Sequence, residues 1–204
     1  MKDQTLLKTY KGHDGDIVSL AYSTNGETLI SASGDNSIRM WNASNESEEP
    51  KILKLPIASS VSVSPTSLAV SESHIVAGYL DRIVRVWDVE SGKLLKRLDG
   101  HQEKVLSVAV SPDGRTLFSS SQDGRVRKWD LAELVDGAGA AGDVTVSGMD
   151  FKSPHEDAVL GVGVSRDGAY VASAGRDRNV NLWDAKSKDS LLLLEGHKTS
   201  GACI

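Results

Sequence analysis

Residues 100 to 130 read GHQEKVLSVAVSPDGRTLFSSSQDGRVRKWD, and the remainder of the 204-residue chain repeats this pattern. Within the stretch, His101, Ser119, Asp123 and Trp129 are separated by 18, 4 and 6 residues. The same gaps separate His13, Ser31, Asp35 and Trp41, and again His155, Ser173, Asp177 and Trp183. A fourth, degenerate set keeps Asp81 and Trp87 but has Ala77 at the serine position and no histidine at the expected place. Self-similarity of this kind marks units that cannot bury their apolar faces alone and do so by stacking on one another.

Each unit reads as a four-stranded antiparallel sheet, because short Val/Ile/Leu-rich runs are separated by turn chemistry at regular intervals. In the reference unit, runs near residues 104 to 110, 116 to 120 and 125 to 130 are strands a, b and c, and KLLKRL (residues 93 to 98) is strand d of the unit before it. Between strands a and b stand SPDG (111 to 114), STNG (23 to 26) and SRDG (165 to 168), whose Asp-Gly or Asn-Gly pair supplies the positive φ of a tight hairpin. VLSVAV is apolar or small on both faces rather than alternating, which predicts a sheet covered on both sides. Stacked propeller blades provide such cover.

A buried indole N–H needs an acceptor, and a buried imidazole needs a partner on each ring nitrogen. A chain from Trp to Ser to His to Asp satisfies all of them, ties strand c to strand b, the loop before strand a and the b–c turn, and so sets each sheet's register. Loss of serine and histidine together in the second unit fits a network whose half is worse than none.

On these residues the unit resembles a WD repeat, and the fold expected is all-β: a WD-repeat β-propeller with about four blades present, incomplete relative to a seven-bladed ring. Met1 to His13 aligns without a gap on Val89 to His101, so residues 1 to 13 read as strand d of a further blade, over 4 to 10, plus a linker. Blade 1 covers 14 to 56, with KILKL as strand d, and the degenerate blade 2 covers 57 to 100. Blade 3 spans 101 to 153, blade 4 spans 154 to 195, and 196 to 204 begin an unfinished repeat. Aligning Pro65 with Pro112 gives blade 2 five extra residues before Asp81, placed in its a–b hairpin with His74. Trp129 to Trp183 is 12 residues longer than Trp87 to Trp129, and the excess falls in the Gly/Ala-rich LAELVDGAGAAGD. Four blades would leave the outward faces of the first and last uncovered, an expectation of self-association.

Composition, at 39% hydrophobic and 25% charged, is that of an ordinary soluble protein, and a net charge of −5 argues against direct nucleic-acid binding. Lone Cys203 permits no intramolecular disulfide, and neither a secretory h-region nor a membrane-spanning run is present. Ser, His and Asp are the residue types of a hydrolase triad, but a catalytic set occurs once and this one occurs three times with Trp attached. No catalytic residue is therefore assigned. Gly137 to Gly142 matches G-x-G-x-x-G without the strand before it and helix after it that a dinucleotide needs, so no cofactor is expected. No metal-ligand spacing occurs among the histidines. The Asn42 and Asn45 sequons read as a polar loop in a chain without a secretory signal. Arg82, Arg85, Arg125, Arg127, Arg176 and Arg178 recur near strand c with acidic residues interspersed, which reads as solvated blade edges.

The order of blade peculiarities narrows the resemblance. A regular first blade, a histidine-less second carrying AGYLDRIVRVWD (77 to 88), a regular third and an inserted loop before LLLLEGH are similar to the propeller of fungal general transcriptional corepressors of the Tup/Groucho type. That resemblance implies a nuclear, non-enzymatic scaffold recruited by DNA-bound repressors through its top face, with protein partners and no nucleic acid, membrane or small-molecule substrate. The family's N-terminal oligomerisation helix and glutamine-rich region have no counterpart in these residues. A ubiquitin-ligase substrate receptor, a signalling adaptor (with cytoplasmic residence) or a fragment without independent function are the alternatives. In WD propellers the top-face contact positions lie three and five residues after the blade histidine and one before the b–c Asp. Carried over, these are Asp16, Val18 and Gly34, then Lys104, Leu106 and Gln122, then Ala158, Leu160 and Arg176, with Leu80 from the degenerate blade. They read as a small apolar patch with a polar rim.

Overall fold

The computed structural model describes residues 8–44, 49–53, 55, 63–131, 148–152 and 155–198, which form four separate four-stranded antiparallel sheets and no helix. The first sheet runs β1 (Ile17–Tyr22), β2 (Thr28–Ser33), β3 (Ile38–Asn42) and β4 (Lys51–Leu53), each strand hydrogen-bonded to the next. The second follows with β5 (Pro65–Val70), β6 (His74–Tyr79), β7 (Val84–Asp88) and β8 (Leu94–Leu98). The third contains β9 (Val105–Val110), β10 (Thr116–Ser121), β11 (Val126–Asp130) and β12 (Met149–Asp150). In the fourth are β13 (Val159–Val164), β14 (Tyr170–Gly175), β15 (Val180–Asp184) and β16 (Ser190–Leu194). The innermost strands β1, β5, β9 and β13 pack side by side in that order. The sheets are thus stacked as propeller blades in an arc.

What holds the stack is three apolar clusters, each shared by two consecutive sheets. Val76, Val84 and Leu98 of the second sheet, for example, close on Val105, Val108 and Trp129 of the third. Trp87 and Trp183 occupy the same place in the first-to-second and third-to-fourth clusters. Contact is close enough that a Cβ on Gly78 would lie 2.6 Å from Val105 Cγ1, so glycine is required there. A polar stitch accompanies the packing: Ser19, Ser67 and Ser107 each accept a bond from the innermost strand of the next sheet, at the N–H of Leu68, Val108 and Val162.

Hairpin chemistry behaves as the Asn-Gly and Asp-Gly pairs predict. Gly26, Gly114 and Gly168 have φ of 73°, 69° and 73°, and their N–H groups donate to Ser23, Ser111 and Ser165. The second sheet differs from the sequence reading. Pro65 is the first residue of β5, paired with Tyr79, and does not belong to a hairpin; the turn between β5 and β6 spans only residues 71 to 73. The hairpin of this sheet is therefore shorter than its counterparts, and the placement of the extra residues there is overturned. His74 likewise begins β6, buried, with Ser73 Oγ 3.0 Å from its Nδ1. Burial pushes its imidazole below the ordinary value against the opposing Asp88 carboxylate.

Residues 8 to 10 carry no strand, and residues 4 to 7 of the expected N-terminal strand lie outside the described residues. Tyr10 instead rests on Trp41 at 5.4 Å between ring centroids, and Lys8 Nζ donates to the Asn42 carbonyl. The Gly137 to Gly142 stretch, Asn45 and Cys203 also lie outside the described residues.

Candidate protein-interaction face

Three sheets contain the same four-residue chain of hydrogen bonds. Trp129 Nε1 donates to Ser119 Oγ at 2.8 Å, Ser119 Oγ lies 2.8 Å from His101 Nε2, and His101 Nδ1 lies 2.9 Å from Asp123. Trp41, Ser31, His13 and Asp35 repeat it at 2.8, 2.7 and 2.8 Å, and Trp183, Ser173, His155 and Asp177 at 2.9, 2.8 and 2.8 Å. Donor logic sets the protons: a carboxylate only accepts, so Nδ1 carries the hydrogen, Nε2 accepts from the serine, and the serine oxygen accepts from the indole. Ser119 and Ser173 are fully buried. A hydroxyl so enclosed, with its oxygen turned to an indole N–H, has no route to a substrate carbonyl.

The aspartate completes the chain by gathering the loop before strand a and the b–c turn. Asp123 accepts from the Gln102 and Arg125 backbone N–H groups, and Asp35 and Asp177 do the same in their sheets. Burial opposes ionisation of Asp123, yet the His101 bond and the two backbone donors pull its pKa down to about 2. At Asp35 burial is likewise outweighed, by Ser37, His13 and backbone N–H groups, which hold the carboxyl well below the ordinary range. Because the folded-state value lies below the unfolded 3.8, this stabilisation is complete above about pH 4 and is lost as pH falls through about 2. Urea unfolding at stepped pH should show a stability drop over that window, and Asp123→Asn should flatten part of it.

The second sheet solves the same problem with different atoms. Lacking histidine and serine, it pairs Asp81 with Arg85 through two bonds of 2.9 and 2.6 Å, and the guanidinium lies 4.4 Å from the Tyr79 ring centroid. Arg85 is 2% exposed, so its assignment to a solvated edge is corrected. Arg127 is also mostly enclosed and, with Arg125, faces Asp150, whereas Arg82, Arg176 and Arg178 are exposed as expected.

This framework positions the residues selected for partner contact. One backbone bond joins them in each sheet: Gly34 N to Asp16 O, Gln122 N to Lys104 O, Arg176 N to Ala158 O, and Leu80 N to Ser64 O. All four innermost strands then break register at one place, between Ile17 and Ser19, Pro65 and Ser67, Val105 and Ser107, and Val159 and Gly161. The extra residue at each bulge is Val18, Thr66, Leu106 or Leu160. Bulges that recur at one site re-aim a side chain out of the pleat. Val18 and Leu80 are 45% and 41% exposed, Leu106 and Leu160 are half-buried, and Asp16, Lys104, Gln122 and Arg176 are exposed.

Ala158 departs from the expectation: it is 1% exposed, sealed by its neighbours, and offers no surface. Ser64 and Thr66 were missed, because the Pro65 alignment displaced the start of strand a. The signal was available in the distance back from Asp81, had a shorter hairpin been allowed. Ser64 Oγ bonds Asn36 Oδ1, and Thr66 Oγ1 bonds the Val105 carbonyl, so both link adjacent sheets along this rim.

A family profile described as WD domain, G-beta repeat, matches residues 4–42, 92–130 and 148–184, more than half of the chain. The chain belongs to the WD-repeat family. Strands β5, β6 and β7 of the degenerate second sheet lie outside the matched stretches. Among relatives, a nuclear distribution protein PAC1 of Arthroderma otae is 29% identical over 94% of this chain and 45% of its own length. The COMPASS component SWD3 of Saccharomyces cerevisiae is 28% identical over 94% of the chain and 62% of its length, and the transcription initiation factor TFIID subunit 5 of Caenorhabditis elegans is 26% identical over 98% and 35%. The WD-repeat chain thus spans about half the length of the nuclear distribution relatives it matches. Relatives so different in kind place it among diverse WD-repeat proteins and do not support a particular closeness to the Tup/Groucho corepressors. A WD-repeat arc of this kind is a protein-interaction scaffold.

Proposed function

We infer that the chain is a non-enzymatic scaffold whose protein partner docks on the rim formed by the loops before strand a and the b–c turns, and that it serves in nuclear transcription-regulating assemblies. The observation that carries the docking site is the bulge repeated in all four innermost strands, which brings Val18, Thr66, Leu106 and Leu160 to one register between exposed charges. The relatives named for TFIID and COMPASS support the nuclear, transcriptional setting. A corepressor recruited by DNA-bound repressors is the specific form of this reading suggested by AGYLDRIVRVWD. The same face would serve an adaptor of another kind, and partner identity separates the two.

Peptides selected from a display library against the chain should bind this rim. The combined substitutions Leu80→Glu, Lys104→Glu and Arg176→Glu, all at exposed positions, should weaken them at least about tenfold, or ~1.4 kcal/mol, with an unchanged circular dichroism spectrum. Equal binding by the triple variant would place the docking surface elsewhere. Mass spectrometry of proteins captured from nuclear extract by wild type but not by the variant then tests the transcriptional setting.

A further inference from the structure

Strand c places one residue of each sheet opposite a partner on strand b, on the face that packs toward the following sheet. In the first two sheets the pairs are Met40 with Ile30 and Val86 with Val76, and all four side chains are buried in the clusters that join those sheets to the next. The third sheet has Lys128 opposite Phe118. Phe118 stays in the third-to-fourth cluster, whereas Lys128 is half-buried and outside it. A cavity of about 250 Å³ opens at this junction, lined by Phe118, Pro112, Ala185 and Lys128. Asp113, Asp167 and Lys186 are exposed residues of the same lining. They belong to the a–b hairpins of the third and fourth sheets and to the turn between β15 and β16, so the cavity opens on the edge of the sheets opposite the contact rim.

A lysine at an apolar junction forgoes the burial that methionine or valine contributes and carries a charge that needs compensation. Lys128 Nζ donates to the Ala185 carbonyl at 2.9 Å, which occupies one of its three hydrogens and neutralises none of its charge. Among the described residues no carboxylate lies within ion-pair distance of it. Asp113 Oδ1 accepts from the Ser111 hydroxyl and the Arg115 N–H, and Asp167 Oδ1 accepts from the Ser165 hydroxyl and the Ala169 N–H. These bonds, the serine hydroxyls foremost, hold both carboxyls below the ordinary value. The junction therefore combines a half-buried cation without a counter-ion, an apolar wall, and ionised carboxylates able to accept N–H groups. Pockets for drug-sized ligands begin near about 300 Å³, so this one suits a single residue rather than a cofactor.

We propose that the crevice captures the carboxyl terminus of a partner protein that ends in an aliphatic residue, with the terminal carboxylate on Lys128, the last side chain against Phe118 and Pro112, and the preceding backbone N–H groups turned to Asp113 and Asp167. The paired aspartates disfavour phosphate and other multiply charged anions, whereas a peptide terminus brings one negative charge together with its own donors. Capture of a terminal carboxylate is a recurring mode of peptide recognition. Because the crevice and the rim lie on opposite edges of the sheets, either can fail without the other.

Titration of the isotope-labelled full chain with the peptide acetyl-Gly-Ser-Gly-Leu, bearing a free carboxylate, should shift the backbone amide resonances of Asp113, Gly168 and Lys186. The same peptide with an amidated end loses a charge-assisted bond and should bind at least about tenfold more weakly. Lys128→Met should abolish the shifts while leaving the thermal unfolding midpoint at or above that of the wild type, because it restores the residue type of the first sheet. Lys128→Gln, which keeps much of the stem and removes the charge, should lose the shifts in the same way. Equal binding of the acid and the amide, or binding that survives both substitutions, would overturn the proposal. Stronger shifts of these amides by acetyl-Gly-Glu-Gly-amide would overturn it in favour of an internal acidic residue, and stronger shifts by inorganic phosphate in favour of a simple anion site. Shifts confined to Lys104, Gln122 and Arg176 would move the peptide to the rim and overturn it as well.

Discussion

Truncating Trp129 to alanine will destabilise the chain by ~3 to 5 kcal/mol, whereas Ala77→Ser will leave its stability nearly unchanged. Trp129 fills the cluster between the second and third sheets and also donates to Ser119, so its loss opens a cavity and strips the serine oxygen of its donor. Asp123→Ala removes no apolar volume of that size and should cost ~1 to 3 kcal/mol, the penalty of leaving His101 and two backbone donors unmatched in a buried setting. Ala77 faces Arg85 across the second sheet, where Ser119 faces Arg127 in the third. A hydroxyl placed there meets the Trp87 indole as Ser119 meets Trp129. Denaturant unfolding of the three variants measures the contrast, and equal losses at Ala77 and Asp123 would refute the role given to the hydrogen-bond chain.

Arg85→Met should be almost as damaging, at about 3 kcal/mol. Removing one partner of an enclosed ion pair leaves the other charge uncompensated. Asp81 retains 25% side-chain exposure, so water recovers part of the loss and the figure sits at the low end of such cases. Arg85→Lys should rescue little, because an ammonium cannot make the paired bonds to Asp81 while also covering the Tyr79 ring as the guanidinium does. Thermal and denaturant unfolding of the two variants would show whether the second sheet depends on this clasp. A fully stable Arg85→Lys would mean that charge alone suffices.

The fold was legible because the 18, 4 and 6 residue gaps are the covalent image of one hydrogen-bond chain. A histidine before strand a, a serine in strand b, an aspartate in the turn and a tryptophan in strand c can meet only if the three strands run antiparallel in fixed register. Where the chain of bonds is missing, legibility failed. With no histidine to mark the start of the second sheet, VSVSP at 61 to 65 aligns on VAVSP at 108 to 112, and a proline that opens a strand takes the place of one that follows it. Proline is tolerated at the first residue of a strand, so its presence could not decide between the two.

The burial of Arg85 is hidden in the sequence for a related reason. Arg39, Arg85 and Arg127 all stand two residues before a tryptophan, and sequence position alone assigns them one environment. The retained Asp81 was the informative residue, since a carboxylate deprived of its histidine needs another cation, and the nearest on that strand is Arg85. In three sheets the residues counted from the histidine are joined in pairs by a backbone bond. Burial of Ala158 could not be counted, because it depends on how closely the loop folds over its own sheet.

The clusters between sheets also have a direction. Trp87, Trp129 and Trp183 each lie against the sheet that precedes them in the chain, never the one that follows. During synthesis from the amino terminus, the surface that receives each indole has therefore already left the ribosome when that indole emerges. Every hydrogen-bond chain can close as soon as its own sheet is complete, without waiting for residues still to be made. The order of translation and the order of burial coincide, so the nascent chain need not hold a large apolar side chain open to solvent for more than one repeat.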